Sequence, residues 1–138
     1  MQEIQIRATR IMVVDDDDDI RMALVDQLLA MGFEVIQATN GREALGMLSL
    51  RTIDGMLVDV QMPVMDGWTM LEQLHQRHSD IPIIVMSAGA PGKIAPKARE
   101  YGAQGYLPKP FNFSHLESAC LRVFGELPVQ SRRHQFSS

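Results

Sequence analysis

The chain has 138 residues, 46% of them hydrophobic and 22% charged, a size and balance that suit one soluble domain with a real core. Its net charge of −4 argues against a general nucleic-acid binder, which would present a basic face, and its one cysteine, Cys120, excludes an intramolecular disulfide. No run of 18 apolar residues is present to span a membrane, and the first residues lack the basic and apolar regions of a signal peptide, so the expected location is cytoplasmic.

Short apolar runs alternate with helical patterns five times along the chain. Strand one is expected from about Ile11 to Asp15. Helix one follows from about Asp19 to Met31, with Ile20, Leu24, Leu28 and Met31 at helical spacing and Gly32 placed to stop it. Asp17 to Asp19 read as a solvated acidic run that complements the amino end of that helix. Strand two is about Glu34 to Ala38, and Asn40-Gly41 turns into helix two, about Arg42 to Leu50. Strand three is Met56 to Asp59, helix three about Asp66 to His78, and strand four Ile83 to Ser87. Pro91, Gly92 and Pro96 argue against a long regular fourth helix, so a long loop and a short helix from about Ala95 to Tyr101 are expected. Strand five is about Gly105 to Leu107. Helix five is expected from near Ser114, where Ser114 and Glu117 have the spacing of a capping box, to near Gly125. Cys120 falls in its amphipathic pattern and reads as a small core residue. Residues 1–9 form an N-terminal extension, 10–127 the domain, and 128–138 a polar tail expected to be disordered.

Strands one, three and four are nearly continuous apolar runs, which marks strands covered on both faces, as in a parallel sheet. Alternation of such strands with helices predicts a doubly wound α/β sheet with right-handed crossovers and strand order 2-1-3-4-5. The switch point of that order lies between strands one and three. Both of these strands end in carboxylates, Asp15-Asp16 and Asp59, so the topology brings three acids to one crevice. Like charges this close raise one another's pKa unless a cation intervenes, and a hard divalent cation such as Mg²⁺ takes oxygen ligands of this kind. Ser87 closes strand four, and its hydroxyl would face the same crevice. It is no evident nucleophile, because none of His75, His78, His115 and His134 is placed to activate it; these histidines read as solvated. Lys109 stands between Pro108 and Pro110 after strand five and can pair with a carboxylate or meet a phosphoryl group as a point charge.

This order of Asp-Asp, Asp, Ser and Lys at successive strand ends resembles the receiver domain of two-component response regulators. The likeness runs from about Arg10 to Leu127. It is carried by Val13-Val14-Asp15-Asp16, by Asp54 to Asp59, by Met62-Pro63-Val64-Met65-Asp66-Gly67, by Ser87-Ala88 and by Gly102 to Phe111, which includes Tyr106-Leu107-Pro108-Lys109-Pro110. The resemblance implies a flavodoxin-like (βα)₅ fold and makes Asp59 the acceptor of a phosphoryl group from a phosphohistidine on a sensor histidine kinase or phosphotransfer protein. It implies that Asp16, Asp59 and the Gln61 backbone carbonyl ligate Mg²⁺ (or Mn²⁺), with Asp15 acting mainly through water. Lys109 and Ser87 would contact the phosphoryl group, Tyr106 would turn inward as Ser87 moves, and the Lys109–Pro110 bond would be cis. Gln61 and Gly89 would flank the reaction centre and tune hydrolysis. The surface of helix four, strand five and helix five would meet a downstream effector, an output domain or a second copy of the chain, with no direct contact to nucleic acid or membrane. The segment Ala88 to Ala95 would be mobile before activation, and Trp68, just after Asp66-Gly67, would report on Mg²⁺ with a phosphate mimic.

Three other readings fit the same residues. The chain could be the N-terminal receiver part of a longer regulator with a DNA-binding or enzymatic output domain. It could be a phosphohydrolase with an aspartyl nucleophile, although such enzymes place a second acid two residues after the nucleophile and position 61 here is Gln. It could be an unphosphorylated docking module, against which the complete acid, serine and lysine set argues.

Overall fold

A computed structural model describes residues 8–62, 65–77 and 79–125. Five strands, β1 (Arg10–Val14), β2 (Glu34–Ala38), β3 (Gly55–Asp59), β4 (Ile83–Ser87) and β5 (Gly105–Pro108), form one parallel sheet in the order β2-β1-β3-β4-β5. Helices α1 (Asp18–Ala30), α2 (Gly41–Leu48), α3 (Gly67–Gln76), α4 (Pro91–Glu100) and α5 (Phe113–Phe124) alternate with the strands. The expected doubly wound architecture and strand order are therefore present. The expected tail, 128–138, and the histidines His78 and His134 lie outside the described residues. No helix among those residues is long and apolar enough to cross a membrane.

The continuous apolar strands serve two cores, because successive side chains point to opposite faces of the sheet. Met12, Val14, Met56, Val58, Ile83 and Val85 pack with Ala44, Leu45, Met70, Leu71, Leu74 and Ala98 of α2, α3 and α4. Ile11, Val13, Leu57, Ile84, Met86 and Leu107 pack with Leu24, Leu28, Leu116, Ala119 and Cys120 of α1 and α5. Local chemistry sets the helix ends. Asp17, Asn40 and Asp66 accept the backbone N–H three residues on and start α1, α2 and α3, and Gly32 ends the turn after α1 at φ 97°, where other residues are strained.

One helix departs from expectation in its extent and another in its cap. The fourth is longer than the predicted 95–101 span and begins at Pro91. A proline in the first turn loses no hydrogen bond, because that N–H has no partner inside a helix. Pro96, further in, removes the donor that would serve the Gly92 carbonyl; Gly92 is exposed, so water can replace it. The fifth helix begins at Phe113, next to the expected Ser114, but with a different cap. Its cap is Asn112, whose Oδ1 accepts the His115 N–H at 2.8 Å while His115 Nδ1 accepts the Asn112 N–H at 3.4 Å. Ser114 and Glu117 do not form the capping box. His115 is exposed, as expected, but it has a structural role.

Cys120 is fully buried, as its pattern predicts, and burial, with the charge of Glu117 adding to it, pushes its thiol up to about 12. Iodoacetamide at pH 8.5 is expected to leave the folded chain unmodified and to label it once guanidinium unfolds it. Above the ordinary thiol range the unfolded chain releases a proton that the fold retains until about 12. Cys120 therefore makes stability fall as pH rises through that window, and Cys120→Ala is expected to remove this part of the alkaline slope in denaturant titrations.

Candidate functional site

The carboxyl ends of β1, β3, β4 and β5 place Asp15-Asp16, Asp59, Ser87 and Lys109 along one edge of the sheet. Each group is fixed by short-range bonds. Asp15 is fully buried; its N–H donates to the Ala38 carbonyl at 3.1 Å and its Oδ1 accepts the Asp17 N–H at 2.9 Å. Asp59 is 5% exposed, and its Oδ1 accepts the Gln61 N–H at 2.9 Å. Gly67 lets α3 start directly behind it: a Cβ there would lie 2.7 Å from the Asp59 carbonyl oxygen and 2.6 Å from Val60 Cα. Asp16 is exposed, yet its carboxylate comes within 4.8 Å of those of Asp15 and Asp59.

Lys109 closes the cluster. Its Nζ donates to Asp15 Oδ2 at 2.9 Å and to Asp59 Oδ2 at 3.2 Å, and its own N–H donates to the Ser87 carbonyl at 2.8 Å. The peptide bond that follows, Lys109–Pro110, is cis, as the resemblance implied. Burial pushes the Asp59 carboxyl above the ordinary range; the Gln61 N–H and Lys109 counter this in part, and Asp15 adds to it. Burial pulls the Lys109 ammonium down, but the Asp15 hydrogen bond and the charges of both carboxylates outweigh it and hold the ammonium above its ordinary value. Three carboxylates face one lysine, which leaves the cluster two positive charges short. Its donors are all oxygens, so the residues fit a hard dication.

Ser87 is fully buried, and its Oγ accepts the Gly89 N–H at 2.9 Å. The Gly89 carbonyl takes a weak, 3.4 Å bond from the Tyr106 hydroxyl, so Gly89, through its N–H and its carbonyl, links the two residues that the resemblance pairs. Every predicted site residue lies at this edge or one peptide from it. The Trp68 ring centroid is 5.1 Å from that of Tyr101, and Lys97 Nζ sits 4.5 Å from it, so the ring packs against residues of α4 and its C-cap.

A residue that the helical pattern passed over also reaches this edge. Arg21 donates from Nη1 to the Asp15 carbonyl at 2.9 Å. A charge beside Ile20 reads as solvated from sequence alone, and only its spacing with Leu24 and Leu28 places it on the buried face.

The sequence profile of the response regulator receiver domain matches residues 11–121. The chain is 42% identical over 120 residues to the DNA-binding transcriptional regulator NtrC of Salmonella typhimurium, covering 87% of this chain and 26% of that protein. It is 36% identical over 129 residues to the transcriptional regulatory protein PrrA of Mycobacterium tuberculosis, covering 91% and 55%. It thus spans about a quarter of one of these regulators and about half of the other. Among solved structures, chemotaxis protein CheY4 of Vibrio cholerae superposes with a TM-score of 0.79 at 30% identity, covering 85% of this chain and 99% of that one. Sheet order, the acid-and-lysine edge and these likenesses over almost the same residues agree, and the chain belongs to the receiver domains of two-component response regulators.

Proposed function

We propose that Asp59 accepts a phosphoryl group from a partner's phosphohistidine and that the resulting charge switches the surface built by α4, β5 and α5. The observation that carries the reading is the cluster itself: a nearly buried carboxylate at a strand end, beside two more acids and one lysine that contacts two of the three. An Asp59 carboxylate oxygen attacks phosphorus, the P–N bond breaks, and its electron pair leaves on the imidazole nitrogen. The product is a mixed acyl phosphate. Asp16, Asp59 and the Gln61 carbonyl would hold Mg²⁺ or Mn²⁺, with Asp15 acting through water, and the bound cation supplies positive charge to the phosphoryl oxygens. Lys109 supplies a second positive charge where the equatorial oxygens gather negative charge, and Ser87 offers its own proton as a hydrogen-bond donor.

Partner contact has a physical basis on both sides of the site. A cleft of about 450 Å³ opens beside Lys109, walled by Ile20, Ala23, Leu24, Pro110 and Phe111, and suits the apolar flank of a histidine-bearing helix. On the other side, α4 buries only Ala98, whereas α3 buries Met70, Leu71 and Leu74. Each large apolar side chain adds roughly 1.5–3 kcal/mol when buried, so α4 is the more lightly held of the two helices. That favours the segment from Ala88 through α4 as the part that moves when Ser87 and Tyr106 rearrange, and the face it shares with β5 and α5 as the one that meets an effector, an output domain or a second copy. A phosphorelay of this kind operates in the cytoplasm.

Incubation of the chain with acetyl phosphate and Mg²⁺ tests the reading by intact mass. One added phosphoryl group is expected, and none when EDTA replaces Mg²⁺; an unchanged mass in both arms overturns it. Hydrolysis depends on water reaching the acyl phosphate past Gly89. A Cβ at Gly89 would lie 3.0–3.1 Å from the Ile94 side chain and 3.2 Å from Ser87 Oγ. The Ile94 chain end can yield, so Gly89→Ala is expected to fold and to retain its phosphoryl group several-fold longer in a mass time course. An unchanged lifetime would count against Gly89 as the water gate.

A further inference from the structure

α1 buries three side chains, Arg21, Leu24 and Leu28, and the first is a guanidinium at a core-facing position. Burying a charge is costly, and an apolar residue there would serve packing better. Arg21 instead spreads its fork over three segments. Nε donates to Gln37 Oε1 on β2 at 3.0 Å, Nη1 to the Asp15 carbonyl at the end of β1 at 2.9 Å, and Nη2 to Asp18 Oδ1 in the first turn of α1 at 2.6 Å. Lysine has no such planar fork.

The Asp15 carbonyl belongs to the peptide that leads into Asp16. On either side of Asp16 the backbone is pinned, by Arg21 on the Asp15 carbonyl and by Asp15 Oδ1 on the Asp17 N–H. The exposed Asp16 carboxylate springs from that pinned backbone and lies within 4.8 Å of those of Asp15 and Asp59. We infer that Arg21 is a positioning residue for cation binding: it fixes the Asp15–Asp16 peptide so that the Asp16 carboxylate stays beside Asp59. Arg21 touches neither the cation nor the phosphoryl group. The inference rests on the acidic cluster being the cation site proposed above.

Mn²⁺ binding to the whole chain, followed by electron paramagnetic resonance with Mg²⁺ as competitor, tests this alongside thermal melting in EDTA. Arg21→Met is expected to weaken Mn²⁺ binding by about ten-fold or more, the usual cost of losing a group that orients a metal ligand. The same variant removes a buried charge, so its metal-free melting point is expected to stay within a few degrees of the native one, a combination that a purely structural role does not produce. Arg21→Lys keeps the charge without the fork and is expected not to restore affinity. Gln37 is exposed, so Gln37→Ala loosens the fork without endangering the fold and is expected to weaken Mn²⁺ a few-fold. Native affinity in folded Arg21→Met overturns the inference, as does full rescue by lysine. Should both Arg21 variants fail to fold, native affinity in Gln37→Ala overturns it. Binding that is lost in Asp59→Asn but intact in Arg21→Met rejects the positioning role alone. A native chain with no Asp59-dependent Mn²⁺ binding rejects the cation site and this inference with it.

Discussion

Asp59→Asn is expected to abolish phosphoryl labelling by acetyl phosphate and, in the same preparation, to make the metal-free chain more stable. The two effects share one cause. Asparagine keeps the shape of the side chain and its hydrogen bond from the Gln61 N–H at Oδ1, but it has no carboxylate oxygen able to attack phosphorus. It also has no charge to desolvate. Burial holds the Asp59 carboxyl above its ordinary range, which means that the fold disfavours the ionised form more than the unfolded chain does. For an acid shifted upward, the stabilising contribution is full below the unfolded value and is lost as pH rises through the folded one. At pH 7.5 the native metal-free chain carries that penalty and the asparagine variant does not. A melting point a few degrees above native is therefore expected at pH 7.5, with the gap closing toward pH 4.

Magnesium reverses the ranking. At ten times its Kd a ligand that binds only the folded state adds about 1.4 kcal/mol. The native chain is expected to gain this, and the asparagine variant much less, because one of the proposed ligands is gone. Differential scanning calorimetry with EDTA or Mg²⁺ at two pH values reads all four combinations. Labelling that survives in Asp59→Asn places the acceptor elsewhere. Rapid multiple turnover of a phosphate ester by the native chain would favour the hydrolase reading over a stoichiometric acceptor.

The parts of the molecule that could be read from the sequence are those governed by one dominant force. Ile11-Met12-Val13-Val14, Met56-Leu57-Val58 and Ile83-Ile84-Val85-Met86 are apolar at every position because helices cover both faces; a strand with one face in water would alternate. Carboxylates at the ends of two such strands then mark the switch point. The parts that could not be read are those where two weak effects compete. Pro91 and Pro96 break helices in most positions, and only the register of α4, with Pro91 in its first turn and Gly92 exposed, makes both tolerable. Asn112 and Ser114 both have capping chemistry, and the choice falls to Asn112 because His115 returns its hydrogen bond. Arg21 lies within a helix whose apolar positions already account for the pattern. Its use emerges only when β2 brings Gln37 alongside and β1 offers a carbonyl. Trp68 is next to Asp66-Gly67 in sequence, but the helical turn carries its ring toward Tyr101.

Lys109→Met is expected to produce three effects whose signs differ, which makes it the sharper test of the electrostatics. Metal-free, the variant leaves Asp15 and Asp59 facing each other without the ammonium that now lies 2.9 and 3.2 Å from them. Both acids are almost fully buried, so the loss is of the kind that costs about 3–5 kcal/mol when one partner of a buried pair is removed. Native Lys109 is held above the ordinary lysine range, so its stabilisation is present at neutral pH and is lost only as pH rises through its folded value, in the alkaline range. In the variant Asp59, which burial already holds above its ordinary range, can recover some of the cost by taking up a proton, and the deficit is expected to shrink as pH falls. Magnesium affinity moves the other way. Removing a positive charge from the rim of a cation site lowers repulsion, so Mg²⁺ is expected to bind the methionine variant more tightly than the native chain and to recover much of its stability. Phosphoryl transfer moves a third way: with the second positive charge gone from the equatorial oxygens, labelling by acetyl phosphate at saturating Mg²⁺ is expected to slow by about 10²–10³. Tighter metal with slower chemistry separates the two positive charges of the site by role. A variant as stable as the native chain in EDTA at pH 8 would overturn the pairing of Lys109 with the two buried acids as a source of stability.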